Sequence, residues 1–486
     1  MPDATIPAAA PPESGTSATG PFQAGLPIAV IGAGFSGTMT ALHLLRRLAG
    51  RRVLLCERGE TFAQGAAYGT RDPVHLLNVR AANMSAFPAQ PAHLVEWLTA
   101  EAAREADEGG HDVERHSHET SAGRFVSRTL YGRYLSSLLR SELSGPEGAS
   151  RLRIVPEEAA ALVRRPCGAF DLRLAGGRVH RVAAAVLAVG NPAGGQGSVP
   201  TGIVRDPWSA RFREGLVGDR PVLIVGTGLS MVDVATSLAS HGFAGPVIAF
   251  SRHGLLPHTH ATAAPWTLSL SASAESEPLS WLLRKVRREV EAAALAGLPW
   301  QSVVDALRPI TTALWRGMDA ERQERFIRHL RAWWDVHRHR MAPPVAGTIE
   351  GLIRDGRLRV AAGQILAARE GDGRVVVRWR PRGSGVAEDL EVQRVIYATG
   401  QPPMAKVRDA LLDGLMEAGL IRVDRHGLGL DAGDDLGLIG TDGRSTDGLW
   451  GVGPVVRGAF WECTAVPDIR VDAERLAARI AARLGG

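Results

Sequence analysis

The run Leu26-Pro-Ile-Ala-Val-Ile-Gly-Ala-Gly-Phe-Ser-Gly-Thr-Met-Thr-Ala-Leu-His-Leu-Leu45 holds three signals in a fixed order. Ile28 to Ile31 is continuously apolar, as a strand covered on both faces requires. Gly32, Gly34 and Gly37 follow with G-x-G-x-x-G spacing, and apolar residues then recur at helical intervals. Arg51-Arg-Val-Leu-Leu-Cys-Glu57 supplies a second buried strand that ends in an acid. Together they predict a βαβ unit built to hold a dinucleotide. Gly32 permits the tight turn, Gly34 lets main chain approach a diphosphate, and Gly37 lets the helix lie close on the strand. Phe35 and Ser36 open the helix, whose free N–H groups and positive dipole end favour an anion. Glu57 is placed to accept hydrogen bonds from ribose hydroxyls, and Arg58 stands beside it.

A second unit of the same kind begins at Pro221. It reads Val222-Leu-Ile-Val-Gly-Thr-Gly-Leu-Ser-Met-Val-Asp-Val-Ala235, with Gly226 and Gly228 in the turn and Ser230 read in place of the third glycine. Its partner strand, Pro246-Val-Ile-Ala-Phe-Ser-Arg252, ends without an acid. Ser251 and Arg252 stand there instead. A carboxylate would repel a 2′-phosphate, whereas a hydroxyl and an arginine bind one, which points to NADPH over NADH. Two further strands end alike, in Leu187-Ala-Val-Gly190 and Tyr397-Ala-Thr-Gly400, where small residues let the chain cross close to a nucleotide.

Working outward, the chain reads as α/β with two Rossmann-like domains, the second inserted into the first. Residues 1–25 read as a disordered tail, 26–204 as the first part of one nucleotide domain, and 205–380 as the second domain. A helical insertion occupies about 258–345, and 381–486 return to the first domain. Strands are expected at Leu358–Val360, Val375–Trp379 and Val392–Ala398, and a last helix from about Asp472. Phe326, Leu330, Trp333 and Trp334, with Trp281, Trp300 and Trp315, read as helical core.

The chain has 486 residues, 45% hydrophobic and 22% charged, which suits globular domains rather than a disordered or fibrous chain. The net charge of +5 is dispersed among acids, so it suggests attraction for phosphates rather than a nucleic-acid surface. Cys56, Cys167 and Cys463 form neither a CxxC pair nor a metal-binding spacing. That excludes the disulfide reductases, which need two neighbouring thiols, and no metal is expected. The first residues lack the basic start and apolar stretch of a secretory signal, and no run is long enough to span a bilayer. The expectation is a cytoplasmic protein with no membrane partner.

The ordered set of motifs resembles the two-dinucleotide flavoproteins that include flavin-containing monooxygenases and lysine or ornithine N-hydroxylases. Phe125-Val-Ser-Arg-Thr-Leu-Tyr-Gly-Arg-Tyr-Leu135 is similar to the segment that precedes a helix in those enzymes. A bacterial family of FAD/NAD(P)-binding proteins is more similar still. Its matching stretches are Asp72-Pro-Val-His-Leu-Leu-Asn-Val-Arg-Ala-Ala-Asn-Met-Ser-Ala-Phe-Pro88, Trp334-Asp-Val-His-Arg-His-Arg-Met-Ala-Pro-Pro344 and Gly451-Val-Gly-Pro454, then Trp461-Glu462. The resemblance implies FAD in the first domain and NADPH in the second. The monooxygenases' FxGxxxHxxxW/Y-type sequence is missing between the two nucleotide motifs, where Asp206-Pro-Trp208 stands.

The resemblance puts His75, Asn78, Arg80, Asn83 and Met84 in a loop beside the flavin, where Asn78 or Arg80 would stabilise charge on its ring. Gly453 and Gly458 precede the final helix, whose N-terminus would meet the flavin's pyrimidine end. Glu462 is a candidate acid or base. The cations His337 to Arg340 have two readings: charges settled at a helix C-terminus, or Arg338 and Arg340 gripping a phosphate or carboxylate. The implied reaction passes hydride from NADPH to the flavin, and then electrons to oxygen or a small-molecule substrate, as in N- or S-hydroxylation. The alternatives are an NADPH-dependent reductase or dehydrogenase that inserts no oxygen, and a flavin-binding redox sensor.

Overall fold

The structure, a computed structural model, describes residues 25–191, 202–271, 277–371, 373–400 and 402–484. The tail read at 1–25 lies, save for Gly25, outside them. The apolar runs become two sheets. In the first, the strand order is Gly437–Ile439, Ser445–Gly451, Ala184–Leu187, Ile28–Ile31, Val53–Cys56 and Leu152–Val155. All pairings are parallel except that of the edge strand Gly437–Ile439. Ile28 aligns with Val53 on one side and Ala184 on the other, and all three central strands are buried throughout. The helix Phe35–Arg47 covers the sheet and packs on the C-terminal helix Val466–Leu484, which begins a turn and a half earlier than its sequence suggests.

The second sheet runs Ile203–Val204, Arg394–Tyr397, Val222–Val225, Val247–Ser251, Leu358–Gly371, Arg374–Pro381 and Glu388–Val392. Leu358–Gly371 is longer than expected because it serves twice. Its first half pairs in parallel with Val247–Ser251, and a bulge at Ile365 and Ala367 leads into an antiparallel hairpin. The expected domain limits shift accordingly. Ile203–Val204 and the strands from Glu388 to Tyr397 hydrogen-bond within the second sheet, so the return segment starts after Gly400 rather than at 381.

Between the sheets' connections stand the helices Leu279–Leu295, Trp300–Gly317, Ala320–His329 and Arg331–Arg338. Their apolar faces meet around Leu282 and Leu307. Trp315 is buried as expected, but Trp333 is 49% exposed and so is not core.

One buried group in the first domain has a measurable consequence. His43, on the helix Phe35–Arg47, is pulled down to about 4 by burial, and its Nε2 has no hydrogen-bond partner. The unfolded chain holds this proton more tightly, so the stabilisation is complete above about pH 6.5 and fades as pH falls towards 4. Between about pH 7 and about pH 5 the parent protein should lose about 2 kcal/mol through this group. A His43→Leu variant should lose that much less over the same range in urea titrations; equal losses would refute the assignment.

Candidate functional site

Both glycine turns are built on one geometry. Gly32 has φ +97°, and a Cβ there would lie 2.4 Å from the carbonyl oxygen of Ala188. Gly226 has φ +117°, and a Cβ there would lie 2.2 Å from the carbonyl oxygen of Ala398. Each turn is thus wedged against the end of the neighbouring strand, just before Gly190 in one case and Gly400 in the other. Only glycine fits both the left-handed backbone and the close approach. Gly190 and Gly400 also have positive φ, at the points where the chain leaves each sheet.

Behind each turn a helix begins at Phe35 or Leu229, and neither Gly34 nor Gly228 caps it with a side chain. Two helix N-termini therefore offer main-chain N–H groups and positive dipole ends, which suits a diphosphate at each. Around the Cβ position of Gly228 there is open space to 4 Å, whereas at Gly34 the backbone of Gly65 comes to 3.5 Å. Gly37 is where a side chain could not stand at all, since a Cβ would lie 1.8 Å from the carbonyl oxygen of Gly32. The corresponding position in the second turn is Met231, not Ser230. Met231 is fully buried and Ser230 half-buried, so the serine does not replace the third glycine and this helix starts on a different packing solution.

Glu57 reaches the first turn directly. Its carboxylate accepts a hydrogen bond from the Ala33 N–H at 2.8 Å and another from Gly59 at 3.3 Å. Arg58 beside it is exposed. Ser36 meets the return segment, because a Cβ on Gly453 would lie 2.3 Å from its hydroxyl oxygen. Gly453, with φ +77°, thus closes the first turn from above. Gly458 does not join it. Its missing side chain makes room for the Asp424 carboxylate, and its carbonyl accepts from Trp315 Nε1 at 2.9 Å.

At the second turn, the Ser251 hydroxyl accepts from Thr227 Oγ1 at 2.8 Å and from the Gly254 N–H at 2.9 Å. Arg252 is exposed beside it. Arg382, from the distant hairpin, joins this corner and lies 3.3 Å from His253 Nδ1. Burial, then Arg382 and Arg252, hold His253 below the ordinary histidine range. Arg382 was invisible in the sequence because it lies in another loop, with no motif around it.

The loop before Met84 is more structural than expected. His75 Nε2 bonds Ser237 Oγ at 2.8 Å, and its Nδ1 bonds Thr70 Oγ1 at 3.0 Å, so both ring nitrogens are engaged between the domains. Ser237 also donates to Asp72 at 2.5 Å. The hydroxyl thus sits between histidine and carboxylate, which is not the order of a charge-relay triad. Arg128 and Asp233 form a buried ion pair at 2.8 Å across the same interface, with Trp208 stacked 4.9 Å from the guanidinium. Arg80 donates to the carbonyls of Ala122 and, at 2.7 Å, Ala261. The Asn78 carbonyl accepts from His260 Nε2 at 2.9 Å. Asn83 is exposed, and Met84 is buried, with its carbonyl accepting from Tyr131 at 3.0 Å.

Glu462 is 3% exposed and already engaged. It accepts from Trp334 Nε1 at 2.9 Å and lies 3.3 Å from Arg338, so it fastens the helical section to the return segment instead of serving as a free acid. Burial drives the Cys56 thiol up to about 12 and the Cys463 thiol well above its ordinary value, which rules both out as nucleophiles near neutrality. Among the described residues no group of His, Cys, Asp and Glu could hold a metal ion, and no helix is long and apolar enough to cross a membrane.

Residues 29–192, which include the first turn, Glu57 and the strand end at Gly190, match the FAD-NAD(P)-binding family. That match covers the first glycine turn and the strands on either side of it. As a whole the chain shares its fold with solved two-dinucleotide flavoproteins. An L-lysine 6-monooxygenase from Pseudomonas syringae superposes with a TM-score of 0.64 at 15% identity, over 94% of this chain and 100% of the other. The reduced form of an ornithine hydroxylase from Pseudomonas aeruginosa gives 0.63 at 15% identity, over 95% and 100%. An ornithine N-hydroxylase from Kutzneria gives 0.60 at 15% identity, over 95% and 100%. No curated protein matches the chain. The first domain and the inserted domain thus repeat one glycine-turn geometry on two parallel sheets.

Proposed function

We propose that the protein is an FAD- and NADPH-dependent oxidoreductase of monooxygenase type, acting on a small metabolite. The observation that carries this reading is the pair of uncapped helix N-termini, each behind a glycine turn wedged on a strand end. The first turn fits FAD: the uncapped helix start at Phe35 would hold its diphosphate, and the Glu57 carboxylate, which already accepts from the Ala33 N–H, would hold a ribose hydroxyl. The second fits NADPH, with Arg252 and Arg382 forming a cationic corner for the 2′-phosphate where no acid stands. Bound FAD would supply a two-electron relay, taking hydride from the nicotinamide and reducing oxygen, one atom entering substrate and the other leaving as water. The likeness to N-hydroxylating enzymes supports that outcome through the fold.

One observation favours a second reading, an NADPH-dependent reductase or dehydrogenase. The N- and S-monooxygenase sequence between the nucleotide motifs is missing, and Trp208 in its place packs on His75 at 5.7 Å. Oxygen uptake matched to NADPH use, with an oxygenated product, supports the first reading; anaerobic turnover with an added acceptor and no such product supports the second.

Cofactor choice is tested by Arg252→Ala and Arg382→Ala. Each should raise KM for NADPH about tenfold, the worth of one charge-assisted contact, while leaving NADH nearly unchanged. Equal changes for both nucleotides would remove the 2′-phosphate assignment.

A further inference from the structure

Beside Asn78, four cations, Arg80 among them, gather where the helical section meets the first domain. Arg340 is 1% exposed and pairs through Nη2 with Asp305, yet its Nε and Nη1 have no hydrogen-bond partner. Arg338 is also buried. Its Nε lies 3.3 Å from Glu462 without hydrogen-bond alignment, and its Nη2 is unpartnered. Arg308 is paired with Asp468 at 2.6 Å, and Arg80 meets only carbonyls. Against these four positive charges stand three carboxylates, Asp305, Glu462 and Asp468, so the cluster keeps an excess cation.

Neutral groups around it are unpaired as well. His260 donates through Nε2 to the Asn78 carbonyl, so in the ring that burial holds neutral, with a pKa of about 4, the buried Nδ1 is an acceptor without a partner. Gln301 bonds Thr259 through Nε2 at 3.5 Å, which leaves its Oε1 unpartnered. Trp300 lies 5.8 Å from the Arg340 guanidinium and begins the helix Trp300–Gly317, whose N-terminus no side chain caps. Buried guanidinium N–H groups without acceptors cost several kcal/mol in a low dielectric, so in native proteins such groups are met by water, an ion or a ligand. The excess cation, the free guanidinium donors and the helix N-terminus select an anion, while the two unpartnered acceptors, His260 Nδ1 and Gln301 Oε1, suit an N–H or O–H group on the same ligand.

We infer that this cationic cluster binds a carboxylate of the substrate, with Arg340 as the principal contact and the uncapped N-terminus at Trp300 beside it. The assignment rests on the functional reading above, in which the Asn78–Arg80 loop borders the flavin, and it narrows the substrate to a small organic acid. The solvent-facing carboxylate of Asp305, 39% exposed, occupies one edge of Arg340 and is the internal competitor for the incoming group.

The test titrates the flavin-loaded enzyme with pairs that differ in the carboxylate alone: L-ornithine and putrescine, glutarate and glutaramide, benzoate and benzamide. Quenching of tryptophan fluorescence reads binding without turnover. At least one acid should bind about tenfold more tightly than its partner. Asp305→Asn should tighten that acid several-fold, because the competitor is gone, while Arg340→Lys should weaken it and leave the partner without the carboxylate unchanged. A merely structural role for the cluster predicts no gain from Asp305→Asn. The inference is overturned if no acid binds at millimolar concentration, if both members of every pair bind alike, or if inorganic phosphate binds in preference to every acid. Anaerobic reduction of the flavin by NADPH, followed separately, tells failure of this inference from failure of the reading beneath it.

Discussion

Gly37→Ala should yield a protein that folds but stays colourless after incubation with FAD. The new Cβ would lie 1.8 Å from the Gly32 carbonyl oxygen, a backbone atom that cannot swing aside. The helix Phe35–Arg47 must then lift from the strand, at a cost of about 1–3 kcal/mol for overpacking. The fold can absorb that loss, because the helix keeps its packing on Val466–Leu484. The diphosphate contact cannot, since displacing the helix N-terminus by about 1 Å misaims every amide at once; FAD affinity should fall at least about a hundredfold. Absorbance near the flavin maxima after gel filtration, with far-UV circular dichroism as the folding control, measures both. Gly228→Ala is the matched control, because its Cβ meets open space and should leave flavin content unchanged. A yellow Gly37→Ala protein with full flavin content would show that the helix does not hold this cofactor.

Arg128→Ala should destabilise the protein by about 3–5 kcal/mol, the usual result of leaving half of a buried ion pair behind. Asp233 would then be buried between the domains with His75 and Asp72 as neighbours and no cation in contact. Burial already pushes the Asp233 carboxyl above its ordinary range, with Arg128 opposing that rise. Removing Arg128 therefore raises it further. A carboxyl whose folded value exceeds its unfolded one stabilises at low pH and loses that effect as pH rises, so the variant should suffer least in mild acid. The double variant Arg128→Leu/Asp233→Leu should recover most of the loss, because neither charge is stranded. Urea unfolding of the three proteins at two pH values checks the set; a single variant as stable as its parent at neutral pH would mean that water reaches Asp233.

What the sequence made legible follows from how local the physics is. Gly32 and Gly226 could be read because a turn that needs positive φ and a bare approach admits one residue type. Central strands such as Val53–Cys56 could be read because burial on both faces leaves no polar residue among them. Counting failed at Ser230, where the third-glycine position belongs to Met231 and the helix tolerates a side chain. The roles of His75 and Glu462 were hidden for another reason. Their partners, Ser237 and Trp334, are remote in sequence, and only the closed fold brings them together. Arg382 reaches His253, beside Arg252, from a hairpin in the same way. The domain limits moved because the expected boundary cut a hairpin whose strands stay paired with the second sheet.

Asn191 and Pro402 line one small cavity, so the main chain quits the first domain and rejoins it at a single spot. Two adjacent tethers allow an inserted body to swing like a door. Here side-chain bonds oppose the swing: the helical section is clasped to the C-terminal part of the first domain by Arg308 with Asp468 and by Trp334 with Glu462, and Arg128 with Asp233 and His75 with Ser237 join the domains elsewhere. The placement of one glycine turn against the other is accordingly held by side-chain bonds as well as by the two chain crossings.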